Sequence, residues 1–551
     1  MIRRCLTGTL AGAALGASLA ACSRHAAVAP VQQGSAARSE LLRGEYGRYR
    51  ANNDLLYYHL DVRVDPGKKF LSGKNTIRFR MLSDDNRIQI DLHPNLATER
   101  ILFNGAPLKY TREESAVFID FPETLRKDRV YSIEYHYSGI PAEIGAARGG
   151  IGFKTDARGK PFINTVCEGT GSSTWWPSKD QWHDEVDSME ISVSIPNDLV
   201  DVSNGAFAGK TDLGDGYTRW DWTVHYPINS YDVSMNIGDY VHFTDTYKDM
   251  TLNFYVLRDS LDKAKAQFSQ AKGMLAAYEH YFGEYPFEKD GYKLVEATNA
   301  GMEHQSAVTY GNGFKNGYYG RDWTGVGVSP RFDFIIIHES GHEWFGNAVS
   351  AADRSDMWIH EGWTTYLEVL YVEYTYGYDD ALKYVNGYKT KVQNRQPIIP
   401  PGRLMRTPPQ DMYFKGALML NTLRNVVNDD TRWFKLLHDV YQRFKYQNIT
   451  TDDIIAFFNQ QTGTNLTPVF NQYLRHTALP VLELKFDSTA RTVAYRWKAD
   501  EPGFAMPIRV GAKSAWQIIQ PTTEWKSMPT RLTKDSFEVA TDLYFVNVAK
   551  E

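Results

Sequence analysis

Residues 338–342 read His338-Glu339-Ser340-Gly341-His342, and after eighteen further residues comes Glu361, in the stretch Trp358-Ile359-His360-Glu361-Gly362-Trp363. An α-helix turns about 100° per residue, so histidines four apart stand one turn above each other on the same face. Such a pair can grip one small cation. A catalytic zinc site takes three protein ligands from His, Asp or Glu and keeps a fourth position for water. Glu361 supplies the third ligand from a second helix, which Asp356 is placed to cap and Gly377 to end. Glu339 points about 100° away from His338, the position of a general base beside the metal. Leading into the motif, Ser329-Pro330 read as N-cap and first-turn proline, with Asp333 in the first turn and Phe332, Phe334, Ile335, Ile336 and Ile337 as a buried helix. Such a helix does not take His338, Glu339 and His342 inside without a partner for them.

The start of the chain speaks to location. Met1-Ile2-Arg3-Arg4 is basic, and the small-residue, apolar stretch from Leu6 to Ala21 is too short and too rich in Ala and Gly to span a membrane. Residues 1–21 read as an export signal. Its end, Leu19-Ala20-Ala21-Cys22, resembles the lipobox of bacterial lipoproteins, which implies lipidation of Cys22. Ser23 fits an outer-membrane address facing the periplasm. Of the three cysteines, Cys5 leaves with the signal and Cys22 carries lipid, so Cys167 has no partner for a disulfide. A net charge of −5 and the lack of a basic stripe with interleaved aromatics give no case for a nucleic-acid partner.

Residues 22–45 are Ala, Val, Gln, Ser and Gly without periodicity and read as a linker. Leu60, Val62 and Val64 then alternate with polar residues, Pro66-Gly67 turns the chain, and Ile77, Phe79 and Met81 alternate again. Similar strands recur to about residue 250, so residues 46–250 read as a mostly antiparallel β-domain. From Leu261 to Phe282 the apolar spacing turns helical, ended by Gly283. A short strand, Tyr292 to Ala297, leads to Ala300-Gly301-Met302-Glu303-His304, then to the motif helices. Further helices are read at about 413–428, 430–446, 451–461 and 468–475, completing a catalytic region at 251–478. Alternation returns in Leu482, Leu484 and Phe486, giving a small β-domain at 479–551.

The chain resembles the gluzincin aminopeptidases, the family of aminopeptidase N and leukotriene hydrolase, over most of its length. The zinc signature lies intact in His338, Glu339, His342 and Glu361, followed by Trp344-Phe345-Gly346-Asn347. The exopeptidase signature is matched by Gly301-Met302-Glu303, with His304 where the family has Asn. The resemblance implies that Glu303 binds the substrate's α-ammonium while the backbone at Gly301 and Met302 pairs with the peptide. It implies a second ammonium anchor in Glu168, within Thr165-Val166-Cys167-Glu168, ahead of Trp175-Trp176-Pro177 and Asp180. Tyr413, in Tyr413-Phe414-Lys415-Gly416, matches the catalytic tyrosine that donates to the oxyanion. Glu368, seven residues past Glu361, is placed to orient a ligand histidine.

The implied architecture is multidomain α+β: an N-terminal β-saddle domain, a thermolysin-like α/β catalytic domain and a small C-terminal β-sandwich-like domain. The large helical fourth domain of many relatives is expected to be missing, since about seventy residues follow Pro480. The implied chemistry is removal of N-terminal residues from peptides with a free N-terminus, with one Zn2+, Glu339 as base and Tyr413 as oxyanion donor. Two His and one Glu would also accept other divalent metals. The alternatives are a zinc endopeptidase, which would cleave an N-acetylated peptide as fast as a free one, and a silent peptide-binding envelope lipoprotein. The intact Glu339 and Tyr413 weigh against the latter.

Overall fold

The alternating residues of the first hairpin form two long antiparallel strands, Asn53–Asp65 and Phe70–Met81, with Leu60, Val62, Val64, Ile77 and Phe79 fully buried. The computed structural model describes residues 38–144, 149–402 and 404–551. The signal sequence and the lipid-bearing Cys22 read from the sequence lie outside the described residues.

The hairpin is the middle of an eight-stranded sheet. One pairing departs from the antiparallel expectation: Asn53–Asp65 runs parallel to Ser188–Pro196, in register from Tyr57 opposite Ser188 to Arg63 opposite Ser194. A parallel neighbour needs a long crossover, and the intervening chain supplies it with a three-stranded sheet and part of a four-stranded one. In the latter, Pro161–Val166 ends two residues before Glu168.

Two boundaries differ from the sequence reading. The expected linker, 22–45, is not featureless throughout: Arg38–Gly44 is helical, and Arg48–Ala51 follows. One buried apolar side chain, Leu42, holds the first helix, and arginines pin the segment. Arg43 Nη2 donates to Gly169 O at 2.9 Å, and Arg50 pairs with Asp91 at 2.7 Å, both residues buried. Polar anchoring of this kind leaves no apolar period to read. The second boundary moves from 250 to Tyr240. Tyr240–Tyr247 hairpins onto Met250–Leu257, which pairs parallel with Tyr292–Glu296, so both strands belong to the sheet of the following region. Their alternation looks like that of the preceding domain, so pattern alone could not divide them.

That sheet has five strands and ends at the short edge strand Gly301–Met302. Helices cover it. The run from Leu261 splits into Leu261–Gln267 and α1 (Gln270–Phe282), because Ser269 Oγ donates back to Ala266 O at 2.7 Å. The motif helix α2 (Phe334–Gly341) is capped by Asp333, whose side chain accepts from Ile335 N and Ile336 N, while Ser329–Arg331 is a separate 3-10 turn. The cap expected at Ser329 is thus four residues further on. Helix α3 (Trp358–Tyr376) ends at Gly377 as read, but Asp356 does not cap it, accepting instead from Thr451 Oγ1 at 2.7 Å. Helix α4 (Asp411–Val427) carries Tyr413.

Two glycines set how α3 meets α4. A Cβ at Gly362 would lie 2.9 Å from Met412 O, and one at Gly416 would lie 3.0 Å from Gly362 Cα. Glu361 and Tyr413 flank this close crossing, which brings their side chains together. The C-terminal residues form a four-stranded and a three-stranded sheet and back α4: Tyr544 OH donates to Asn425 O at 3.0 Å, and Phe545 N to Thr422 Oγ1 at 2.9 Å.

The Arg50–Asp91 pair tests whether the segment before the first strand is part of the fold. Arg50→Ala leaves a buried carboxylate unpaired, and urea unfolding is expected to show a loss of about 3–5 kcal/mol; a loss under about 1 kcal/mol would mark the segment as peripheral.

Candidate metal centre and substrate cleft

The lateral spacing of the motif becomes geometry at the C-terminal end of α2. His338 Nε2 and His342 Nε2 lie 3.3 Å apart, and Glu361 Oε2 is 3.4 Å from the first and 3.3 Å from the second. A tetrahedral ion with ligand bonds of about 2.0–2.1 Å has edges of about 3.3–3.4 Å, so the triangle fits one face of a zinc polyhedron. All three residues are buried, and no well-aligned hydrogen bond reaches Glu361 Oε2. A buried carboxylate oxygen between two ring nitrogens is a donor set for a cation, and the set fits zinc. Burial works against charge on His342, yet Glu361 and Glu303 raise it to about 9, so protons compete for the metal's place. Burial also works against charge on Glu361, but the imidazoles of His342 and His338 outweigh it and hold the carboxyl well below its ordinary range.

The other ring nitrogens are fixed so that Nε2 faces the site. His338 Nδ1 is 2.6 Å from Glu368 Oε1, whose second oxygen accepts from Tyr384 OH at 2.6 Å and from Tyr388 OH. Glu368 therefore has the orienting position read for it. His342 Nδ1 meets Phe345 O at 3.0 Å and Thr364 Oγ1 at 3.1 Å. Gly346 explains itself here: its φ is +136°, and a Cβ would lie 3.0 Å from His342 Nδ1. Asn347 Nδ2 donates to Glu303 O at 2.8 Å, tying the loop after His342 to the Gly301-Met302-Glu303 segment.

Glu339 turns away from the ligands into a cleft of about 380 Å³. Burial pushes its carboxyl up to about 7, with His338 and His342 pulling the other way. A group that takes and returns a proton near neutrality needs a value in that range. The glycine of Gly301-Met302-Glu303 makes room for it: a Cβ at Gly301 would lie 2.7 Å from Glu339 Cγ and Oε1. Glycine is required there by close approach, since no positive φ is involved.

Glu303 closes one end of the cleft. It is 3 % exposed, Tyr231 OH donates to its Oε1 at 3.1 Å, and its carboxylate oxygen lies within 4.8 Å of Glu339 and His342 donor atoms. Glu168 also lines the cleft, and its negative charge is felt at Tyr231, Arg354 and Tyr413. The loop that bears Glu168 is clamped at Gly169 O by Arg43 at 2.9 Å and by Arg354 Nη1 at 2.5 Å. Tyr413 OH donates to Glu361 Oε1 at 2.7 Å, so its phenol rests on the ligand carboxylate. Burial and the carboxylates of Glu361, Glu168 and Glu303 raise it well above the ordinary phenol range, keeping it a donor. The neighbouring Lys415 donates to His476 O at 2.9 Å and Thr477 O at 3.2 Å. The Lys and Gly after Tyr413 thus serve placement, one by anchoring the helix and the other by the α3 crossing.

Glu168, Gly301, Met302, Glu303, the three residues of the metal triangle, Glu339, Glu368 and Tyr413 all line this cleft. His304, the departure from the family pattern, is fully buried, does not line the cleft, and is driven down to about 3 by burial. Sequence reasoning missed Tyr231 and His360. His360 stacks on Trp182 with ring centres 5.3 Å apart, accepts from Ala351 N at 2.8 Å, and stands 3.4 Å from Tyr231 OH. The only available signal was its position directly before Glu361. Tyr384 and Tyr388, four apart and both on Glu368, were likewise hidden among 34 tyrosines.

Known proteins share the same outline. Residues 266–473 match the peptidase family M1 domain, and residues 55–231 match the peptidase M1 N-terminal domain. The chain belongs to peptidase family M1. Among M1 relatives, aminopeptidase B of Rattus norvegicus is 22% identical over 533 residues, covering 85% of this chain and 77% of that protein. Aminopeptidase N of Canis lupus familiaris is 21% identical over 501 residues, covering 82% of this chain and 51% of that one. Against endoplasmic reticulum aminopeptidase 1 of mouse, rat and human, the chain spans 30%, 45% and 38% of the relative's length. The crystal structure of an M1 zinc metallopeptidase from Deinococcus radiodurans shares the fold, with a TM-score of 0.65 at 20% identity, covering 77% of this chain and 93% of that chain.

Glu368→Gln removes the charge behind His338, and bound zinc measured against a competing chelator is expected to weaken by about 10- to 100-fold. Unchanged affinity would mean that Tyr384 and Tyr388 hold the ring's environment without the carboxylate.

Proposed function

We propose that this M1 chain is a zinc-dependent aminopeptidase that removes N-terminal residues from peptides. The observation that carries the reading is the pair Glu303 and Glu168 on one cleft with the metal triangle, Glu303 lying beside His342. An α-ammonium there is attracted by both carboxylates, whereas an acylated or internal residue brings an uncharged amide and forfeits that attraction. Only a chain end fits, with its first peptide bond next to the triangle.

His338, His342 and Glu361 hold the zinc, which when bound polarises the scissile carbonyl and lowers the pKa of water. Glu303 and Glu168 hold the ammonium and fix how far the peptide enters. Glu339 takes the proton from the attacking water on its carboxylate and delivers it to the leaving amine. Tyr413 swings its hydroxyl from Glu361 Oε1 to the developing oxyanion, a donor of a kind that contributes about 3 kcal/mol. Tyr231 holds Glu303 in place through the 3.1 Å hydrogen bond.

Hydrolysis of aminoacyl anilides tests the reading. Chelator is expected to abolish it and zinc to restore it; Glu339→Gln should lose activity by at least about a thousandfold while retaining metal. Glu303→Ala should raise KM for free peptides, and N-acetylated peptides should be inert. Cleavage of an acetylated peptide at the rate of its free counterpart would replace the reading with an endopeptidase.

The lipobox-like stretch ending at Cys22 supports a second proposal, an exported lipoprotein tethered to the outer membrane and facing the periplasm. Labelled palmitate should enter the wild-type chain and not Cys22→Ala; equal labelling of both would remove the proposal.

A further inference from the structure

We infer that the cleft carries a second recognition site on the far side of the metal triangle: an aromatic box for the side chain of the substrate's second residue, favouring peptides with a large apolar or aromatic residue there. The inference rests on the aminopeptidase reading and extends it to the residue beyond the cleaved bond.

Helix α2 sets the direction. Phe334, His338 and His342 recur every four residues and so line one face, each about 6 Å along the axis from the last. The rings confirm the row: Phe334 stacks on His338 at 5.4 Å between centres, and His338 meets His342 at 4.9 Å. Glu303 lies at the His342 end. A peptide with its ammonium on Glu303 and its first carbonyl at the triangle therefore continues toward Phe334.

The far end of the cleft is aromatic. Trp323 lies 5.5 Å from Phe334 and 6.3 Å from Phe414, and Tyr318 lies 5.7 Å from Phe334 and 4.8 Å from Trp323. All four line the cleft, with Ile335 and Tyr388 beside them. Phe334 and Phe414 are buried, whereas Trp323 and Tyr318 are half-buried and form the rim. The carboxylate of Glu368 also reaches this end, but its oxygens are taken by His338, Tyr384 and Tyr388. Gln410 supplies an amide. An acidic or basic second residue would meet faces and edges of rings in place of water, and a phenyl or isobutyl group would meet its own kind.

The box is already formed. Its rim belongs to the loop between the edge strands and α2. Asn312 Nδ2 donates there to Lys315 O at 2.7 Å, Gly317 O at 2.8 Å and the helix cap Asp333 at 2.9 Å. Asp322, next to Trp323, accepts from Gly327 N at 2.6 Å and Ser329 Oγ at 2.5 Å. Lys391 Nζ sits 3.6 Å from the centre of the Trp323 ring and is not part of the cleft wall. Little ordering is left for the substrate to induce, so apolar area covered there goes into affinity.

The test is a set of tripeptides Leu-X-Gly with X as Phe, Leu, Ala, Asp or Lys, assayed on the zinc-loaded chain for release of leucine. Phe is expected to exceed Ala in kcat/KM by about ten- to a hundredfold, with Asp and Lys below Ala. Trp323→Leu and Phe414→Leu, made separately, should each shrink the Phe-to-Ala ratio several-fold. Both rates come from one preparation, so a partly unfolded variant does not distort the ratio. Equal rates for all five peptides, preference for Asp (which would assign recognition to Lys391), or an unchanged ratio in both variants would overturn the inference and leave the aminopeptidase standing. No cleavage of any peptide would remove both.

Discussion

Two imidazole nitrogens and a carboxylate oxygen held within 3.4 Å of one another, almost wholly out of water, cannot coexist without positive charge between them. That demand orders the rest of the centre. A cation satisfies it, and proteins that bury charge must surround it with fixed dipoles and hydrogen bonds. Here Glu368, itself held by Tyr384 and Tyr388, meets the other nitrogen of His338, while Thr364 and the Phe345 carbonyl meet that of His342. The motif residues suit a metal ion by their chemistry, and this outer layer leaves their rings one orientation toward it.

Glycines do the corresponding work for shape. Gly301 lets Glu339 lie against the edge strand, Gly346 lets the chain turn under His342, and Gly362 with Gly416 lets two helices touch so that Tyr413 reaches Glu361. Each removes a side chain where a functional one must pass. The site is thus built as much from missing Cβ atoms as from reactive groups, and the spacing of glycines within the motifs carries structural meaning that the charged residues alone do not explain.

The metal centre was legible because helical periodicity converts sequence distance directly into direction: His338, His342 and Glu361 need only their spacing. The first hairpin was legible for the same reason in strands, through Leu60, Val62 and Val64. Residues brought in from far along the chain were not. Nothing local marks Tyr231 as the partner of Glu303, 72 positions away, or Arg43 as a clamp on Gly169, 126 positions away. The helix Arg38–Gly44 escapes a reading by pattern because it is held by arginines and one leucine, with no apolar stripe to announce it. Ser-Pro is the commoner helix opening and points to Ser329 as the N-cap, while Asp333 wins through its two bonds to Ile335 and Ile336. Glu168 and Tyr413 would have stayed anonymous without the family resemblance, since one carboxylate or one phenol has no period.

The parallel pairing of Asn53–Asp65 with Ser188–Pro196 also bears on how the chain is made. That strand is the seam of the eight-stranded sheet, joining the strands that come directly after it to those that arrive only after residue 188. During synthesis the first hairpin can close early, yet its other edge must wait for more than a hundred further residues, presenting unpaired backbone amides and carbonyls meanwhile. Folding of the N-terminal region is therefore governed by a long-range encounter, slow by nature and exposed to strand-to-strand misassociation until the late strand docks.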